Sequence, residues 1–153
     1  MGTKFSTRVW VSVVGIASIF FGSKGYADTV ISVADFGLKP DTRENAVAYV
    51  QKAIEACRGK EPVTLVFPEG RYDFWPQYAH EKNYYETNTY DVFPKRLAML
   101  FEGLHNITVD GNGSQFVMHD RIQPITVENC DGVTLKNFSI DWDIPLTAQA
   151  RVT

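Results

Sequence analysis

Beyond Pro94 the chain repeats itself at a constant offset of 26 residues, and this periodicity narrows the possible folds more than any other feature. Residues Met99-Leu100-Phe101-Glu102-Gly103-Leu104-His105-Asn106-Ile107-Thr108-Val109 superimpose on Ile125-Thr126-Val127-Glu128-Asn129-Cys130-Asp131-Gly132-Val133-Thr134-Leu135. Each unit holds two short apolar segments broken by a polar bend. A third segment follows each unit, Ser114 to His119 and then Phe138 to Trp142. A period in the twenties with three short β segments per turn is what a β-solenoid coil requires. Leucine-rich repeats share the period but need a denser Leu pattern and an Asn-Leu consensus that this chain lacks.

Alternation within the repeats assigns the faces. Ile107 and Val109, Val133 and Leu135, then Phe138, Ile140 and Trp142 alternate with polar residues, so one face of each strand is expected to point inward. No single coil can bury that face, whereas stacked coils make a continuous core. Asp110-Gly111-Asn112-Gly113 supplies residues that tolerate positive φ at a sharp bend. Asn106, Asn112 and Asn137 head Asn-x-Ser/Thr triplets, for which a role in turns is the preferred account. A helix is predicted over 43–58, with Ala46, Val50, Ala53, Ile54 and Cys57 on its apolar face and Gly59 just past its end. Asp41 is the expected N-cap, with Glu44 reaching back in a capping box. This amphipathic helix is expected to cover the open end of the first coil.

The N-terminus predicts export. Lys4 and Arg8 precede the apolar run from Val9 to Phe21, and Gly25-Tyr26-Ala27 offers a small-residue cleavage site, the order of a signal peptide. The run falls short of the roughly 20 residues a spanning helix needs. Cleavage after residue 27 removes Lys4, Arg8 and Lys24 and no acid, leaving 12 Lys plus Arg against 18 Asp plus Glu, a net charge near −6. Without a basic cluster, nucleic acid is not an expected partner. The two cysteines, Cys57 and Cys130, define neither a disulfide scaffold nor a zinc site.

Between export signal and repeats lie the strand-like stretches 29–33, 63–67 and 71–75. Asp35-Phe36-Gly37 matches a kinase metal loop, but the other kinase elements are missing and that function is discarded. Between Pro76 and Pro94 runs a polar, aromatic insertion without clean period, carrying Tyr78, Tyr84, Tyr85 and Tyr90.

Two family likenesses rest on these residues. Val33-Ala34-Asp35-Phe36-Gly37, Ala53-Ile54-Glu55-Ala56-Cys57 and Val66-Phe67-Pro68-Glu69-Gly70-Arg71-Tyr72 resemble the cap and first coil of the pectate-lyase-like superfamily. That resemblance implies an all-β, right-handed parallel β-helix with an N-terminal capping helix, here truncated after the first few coils. The run Phe67 to Pro76, Tyr84-Tyr85 with Asn88-Thr89, Leu100 to Leu104, Ile107 to Ser114 and Ser139-Ile140-Asp141-Trp142 resembles glycoside hydrolase family 110. These are bacterial exo-acting α-1,3-galactosidases that remove terminal galactose, including that of the blood group B determinant. The resemblance implies an inverting, metal-independent hydrolase without cofactor, periplasmic or secreted, acting on glycans with terminal α-1,3-galactose. It puts the catalytic carboxylates in later coils, so none is carried over to this chain.

From the residues themselves, Asp141 and Asp143 are the candidate catalytic pair. Two positions apart on a strand, they share a face at a separation of roughly 6.5–7 Å, inside the 6.5–9.5 Å that an inverting pair of carboxyl groups requires. The alternative, and the commoner situation, is a solvated strand face ended by the turn at Pro145. Asp110 is expected to serve its turn, and His105 and His119 have no partner at catalytic spacing. Tyr84 and Tyr85 are candidate substrate-binding residues: their insertion either offers a stacking platform for a sugar or covers the flank of the first coils. A polysaccharide lyase, which would need a cluster of outward carboxylates for Ca²⁺, and a non-catalytic carbohydrate-binding β-helix are the rival functions. The strand-like run at 148–153 suggests a piece of a longer protein, with residues 28–153 forming the cap and first coils of a catalytic domain. Residues 28–153 alone are therefore expected to show no glycosidase turnover and to aggregate or stay partly unfolded; measured hydrolysis, or a sharp reversible melt of a monomer, would contradict this.

Overall fold

The structure, a computed structural model, describes residues 29–83 and 94–146. The signal segment, Tyr84, Tyr85 and the run at 148–153 lie outside these residues. In chain order the elements are β1 (Thr29–Ser32), a 3₁₀ turn (Val33–Phe36), α1 (Val47–Cys57), β2 (Val63–Val66), β3 (Arg71–Phe74), β4 (His80–Lys82), β5 (Lys95–Glu102), β6 (His105–Met118), β7 (Gln123–Glu128) and β8 (Asp131–Trp142). Strands dominate, and the chain is all-β with one amphipathic α-helix among the described residues.

The 26-residue period reappears as parallel register. Met99 pairs with Ile125 and Phe101 with Val127 between β5 and β7. Ile107 pairs with Val133 and Val109 with Leu135 between β6 and β8. The segments therefore lie side by side and parallel in shared sheets. Past the bend the register shifts, because three residues, Gly111 to Gly113, oppose the single Asn137. Pairing then resumes with Ser114 on Phe138 and Met118 on Trp142, so the expected third segments are continuations of β6 and β8. Asn106, Asn112, Asn129 and Asn137 all have φ between 48° and 59°, the left-handed conformation that Asn tolerates better than most residues. This bears out the turn role of the Asn triplets.

On its other side β6 pairs with β2 and then β3, Ile107 on Val63 and Val117 on Asp73. That offset is 44, which exceeds the repeat by 18 residues. The surplus falls between Phe74 and Lys95, where the polar aromatic insertion was recognised. The insertion therefore lengthens one turn of chain without disturbing the ladder. Part of it is ordered against the sheet: β4 pairs antiparallel with the start of β5.

Helix α1 precedes β2 where β5 precedes β6 and β7 precedes β8, and it packs on β5, β1 and β2. Ala46, Val47, Val50, Ala53, Ile54 and Cys57 are all buried, which matches the apolar face read from the sequence. Its start does not. The helix begins at Val47, and Asp41 sits at φ 62° outside it. Instead of capping, Asp41 accepts the Arg71 N–H at 3.0 Å and donates its own N–H to the Arg71 carbonyl at 2.9 Å. Pairing the 41–45 segment to β3 takes precedence over an early helix start, and Asn45 Oδ1 meets the first helical N–H, that of Val47, at 3.1 Å. The reciprocal capping pattern occurs elsewhere, between Ser32 and Asp35 on the 3₁₀ turn.

The core runs along the stack. Phe67, Tyr72, Phe74 and Phe116 are buried, with ring centroids 4.7–6.2 Å apart, and Phe138 stacks on Phe116 at 4.8 Å. Each such side chain contributes roughly 1.5–3 kcal/mol when fully buried. Leu135 and Ile140 continue the ladders of the buried Val109 and Phe116, yet they remain 40% and 37% exposed. No rung beyond β8 covers them among the described residues. Cys57 and Cys130 are both free, and burial pushes the Cys57 thiol up to about 11.

Gly111 marks where the rungs come closest. A Cβ there would lie 2.5 Å from Phe138 Cβ and 2.7 Å from the Asn137 carbonyl oxygen, which is backbone and cannot swing aside. At Gly59, φ is 73° but the space is open. Gly111→Ala should destabilise by about 3 kcal/mol through overpacking. Gly59→Ala should cost about 1 kcal/mol of left-handed strain. Thermal unfolding with equal shifts for the two variants would contradict the close rung contact.

Candidate functional site

The alternation that sends Tyr72 and Phe74 into the core sends Arg71, Asp73 and Trp75 to the other face. The neighbouring rungs continue this face with Gln115, Val117 and His119, and then with Ser139, Asp141 and Asp143. Asp73 is nevertheless only 1% exposed. The first rung covers it: Asn45 forms a parallel bridge to Asp73, and the Ala46 N–H donates to its carbonyl at 2.8 Å.

A buried carboxylate must be matched by charge and hydrogen bonds. Arg71 Nε lies 3.2 and 3.0 Å from its two oxygens, and Nη2 lies 2.6 Å from Oδ1. His119 Nε2 is 2.8 Å from the same Oδ1, and the Arg43 guanidinium stands 3.8 Å away. Burial by itself would raise the Asp73 pKa, but the hydrogen bonds from Arg71 and His119 and the charges of Arg71 and Arg43 outweigh it and hold the carboxyl below its usual range.

Arg71 and His119 also look outward, to the third rung. Arg71 Nη2 donates to Asp143 Oδ1 at 3.1 Å, and His119 Nδ1 is 3.9 Å from Asp143 Oδ2. The His119 ring lies flat under Trp75, centroids 3.9 Å apart and planes within 4°. Asn45 fixes that tryptophan's backbone, accepting its N–H at 3.2 Å. One buried carboxylate thus orients an arginine and a histidine, and these two meet an exposed carboxylate across three successive rungs.

Both sequence candidates, Asp141 and Asp143, lie on the outward face and are exposed, but their surroundings differ. Asp143 joins the charged network, while Asp141 Oδ1 accepts the N–H of its own neighbour Trp142 at 2.8 Å. Asp110 serves its turn as expected. It accepts the Asn112 N–H at 2.9 Å, Asn137 Nδ2 at 3.0 Å and the Lys136 ammonium at 3.2 Å, and these partners, the Asn112 N–H foremost, lower its pKa. Arg71, Asp73, Trp75 and His119 escaped the sequence reading. His119 was left without a partner because Asp73 is 46 residues away, across the insertion. The spacing Arg-x-Asp-x-Trp on one strand face was the available signal.

A second cluster stabilises the other sheet. The register sets Glu102 directly beside Glu128, a like-charge pair that would destabilise the strands. Lys82, from β4, places its ammonium 2.8 Å from both. These two hydrogen bonds and the two negative charges raise the Lys82 pKa, and the lysine fastens the ordered part of the insertion to both rungs.

Stacked parallel strands with a helix over the first rung and a charged outer face define a repetitive strand protein. Comparison with known proteins gives the family. The chain is 64% identical over 127 residues to alpha-1,3-galactosidase B of Bacteroides thetaiotaomicron, covering 83% of this chain and 21% of that protein. It is 40% identical over 122 residues to alpha-1,3-galactosidase A of Shewanella woodyi, covering 80% of this chain and 20% of that protein. It is 37% identical over 148 residues to alpha-1,3-galactosidase B of Phocaeicola vulgatus, covering 94% and 23% respectively. No protein-family model matches the chain. The chain belongs to the alpha-1,3-galactosidase family, glycoside hydrolase family 110. It spans about one fifth of the length of these curated relatives.

Removing the Asp73 charge strands two cationic partners in a covered site. Asp73→Asn should destabilise the protein by about 3–5 kcal/mol at pH 7. Because the folded pKa is depressed, the stabilisation from Asp73 is complete above the unfolded carboxylate value near 4 and is lost as pH falls through the lower folded value. The variant's stability should therefore fall less steeply below pH 4 than the wild type's. Denaturant titrations at several pH values giving parallel curves would overturn this assignment.

Proposed function

We propose that this chain forms the first rungs of an exported exo-α-1,3-galactosidase that removes terminal α-1,3-linked galactose from glycans with inversion. The identity to alpha-1,3-galactosidase B of Bacteroides thetaiotaomicron carries the reading. The parallel register between successive repeats supports winding into a right-handed β-helix. The basic start, apolar run and small-residue site at 25–27 support export to the periplasm or beyond.

In this reading the rungs present their outward face to the glycan. Asp143, oriented by Arg71 and His119, and Asp141 remain the chain's own candidate carboxylates, and Tyr84 and Tyr85 its candidate sugar contacts. The reaction itself is a single displacement: a carboxylic acid protonates the glycosidic oxygen while a carboxylate activates water on the opposite face of the sugar.

The test is full-length protein on an α-1,3-linked galactobiose, with the first-formed anomer followed by proton NMR. β-Galactose appearing first, at a rate unchanged by a calcium chelator, is the expected result. No galactose release, or an unsaturated uronate product from pectin that requires Ca²⁺, would refute the reading. The mature protein should begin at Asp28, as read from its intact mass.

A further inference from the structure

At the edge of the first rung, Tyr78 presents an aromatic side chain to solvent in a costly backbone conformation. Its φ is 68° and it is 75% exposed. A non-glycine residue held in the left-handed region costs on the order of 1 kcal/mol or more and persists only where its surroundings over-determine it. Two side chains from the helix region do so here. Gln51 Nε2 donates to the Tyr78 carbonyl at 2.9 Å, and Asn45 Nδ2 donates to the Gln77 carbonyl at 2.9 Å. The fold thus spends hydrogen bonds on holding the segment that exposes this ring.

Beside the ring lies a shallow open cleft lined by Tyr78, Tyr49, Ala48, Asn45, Glu44 and Lys52. Its residues combine two tyrosines with the small Ala48, and with an amide, a carboxylate and an ammonium. An aromatic face suits the apolar C–H face of a sugar ring, and the mixed polar groups both donate to and accept from hydroxyls. The charges decide between glycan classes. Glu44 and Lys52 balance one another, so a uronate or sulfated sugar gains at the lysine what it loses at the glutamate. A neutral hexose meets no such opposition.

We propose that the Tyr49–Tyr78 cleft is an accessory binding site for neutral galactosyl oligosaccharides, separate from the outward Arg71–Asp73–His119–Asp143 network. It rests on the galactosidase reading for the choice of sugar, whereas the cleft itself does not depend on that reading. The site would retain an extended glycan on the protein without taking part in bond cleavage.

The experiment measures binding of β-1,4-linked galactotetraose, which an α-galactosidase does not cleave, to full-length protein by saturation-transfer NMR and calorimetry. Failure of catalysis and failure of the cleft are thereby read separately. Wild type should bind, and Tyr78→Ala and Ala48→Phe should weaken binding by about tenfold or more, with galactobiose turnover unchanged. Tyr78→Gly is the control for folding: glycine adopts φ 68° without strain, so it should melt at or above the wild-type temperature yet bind as poorly as Tyr78→Ala. No binding by the wild type, wild-type affinity in Tyr78→Gly, or binding that follows melting temperature across the variants would each overturn the proposal.

Discussion

Everything in this chain depends on parallel backbone pairing between successive repeats. A parallel strand exposes hydrogen-bonding groups on both edges, and only a neighbour at matched register answers them. Strand β6 is held this way on both sides, by β2 and β3 on one and by β8 on the other. The same pairing stacks Phe67, Phe116 and Phe138 into one column. Backbone and core therefore demand the same register, and a slip of one residue would turn the aromatic column outward.

Register stacking also creates an electrostatic problem, since repeats place similar residues over one another. Glu102 falls on Glu128, and the remedy is a lysine borrowed from the insertion. On the opposite face the arrangement is inverted: a carboxylate is sunk beneath the first rung, and Arg71 and His119 converge on it. In both places the countercharge comes from a segment other than the strand that needs it. Elements distant in sequence are joined by charge where backbone pairing alone does not reach.

Legibility followed physical range. The 26-residue period, the bend asparagines and the helix face at Val50, Ala53 and Cys57 were all visible, because each depends on local alternation or a short repeat. The start of α1 was not. Asp41 looks like an N-cap in isolation, and only its pairing with Arg71 shows why the helix begins six residues later, at Val47. The outward cluster was half legible: Asp143 was singled out, but Asp73 and His119 were not. Their meeting requires the rung offset of 44, and that number emerges only once the insertion is subtracted from the chain.

The sunken carboxylate has a bearing on how the segment assembles. Asn45 and Arg43 come from the first rung, Arg71 and Asp73 from the second layer of strands, His119 from the next and Asp143 from the last described. An intermediate in which Asp73 is covered before its arginine and histidine are docked carries an unmatched charge in a dry place. Such states are disfavoured relative to both the open chain and the completed stack. A linear array of repeats, which could in principle zip up one layer at a time, is thereby biased toward forming its first layers together.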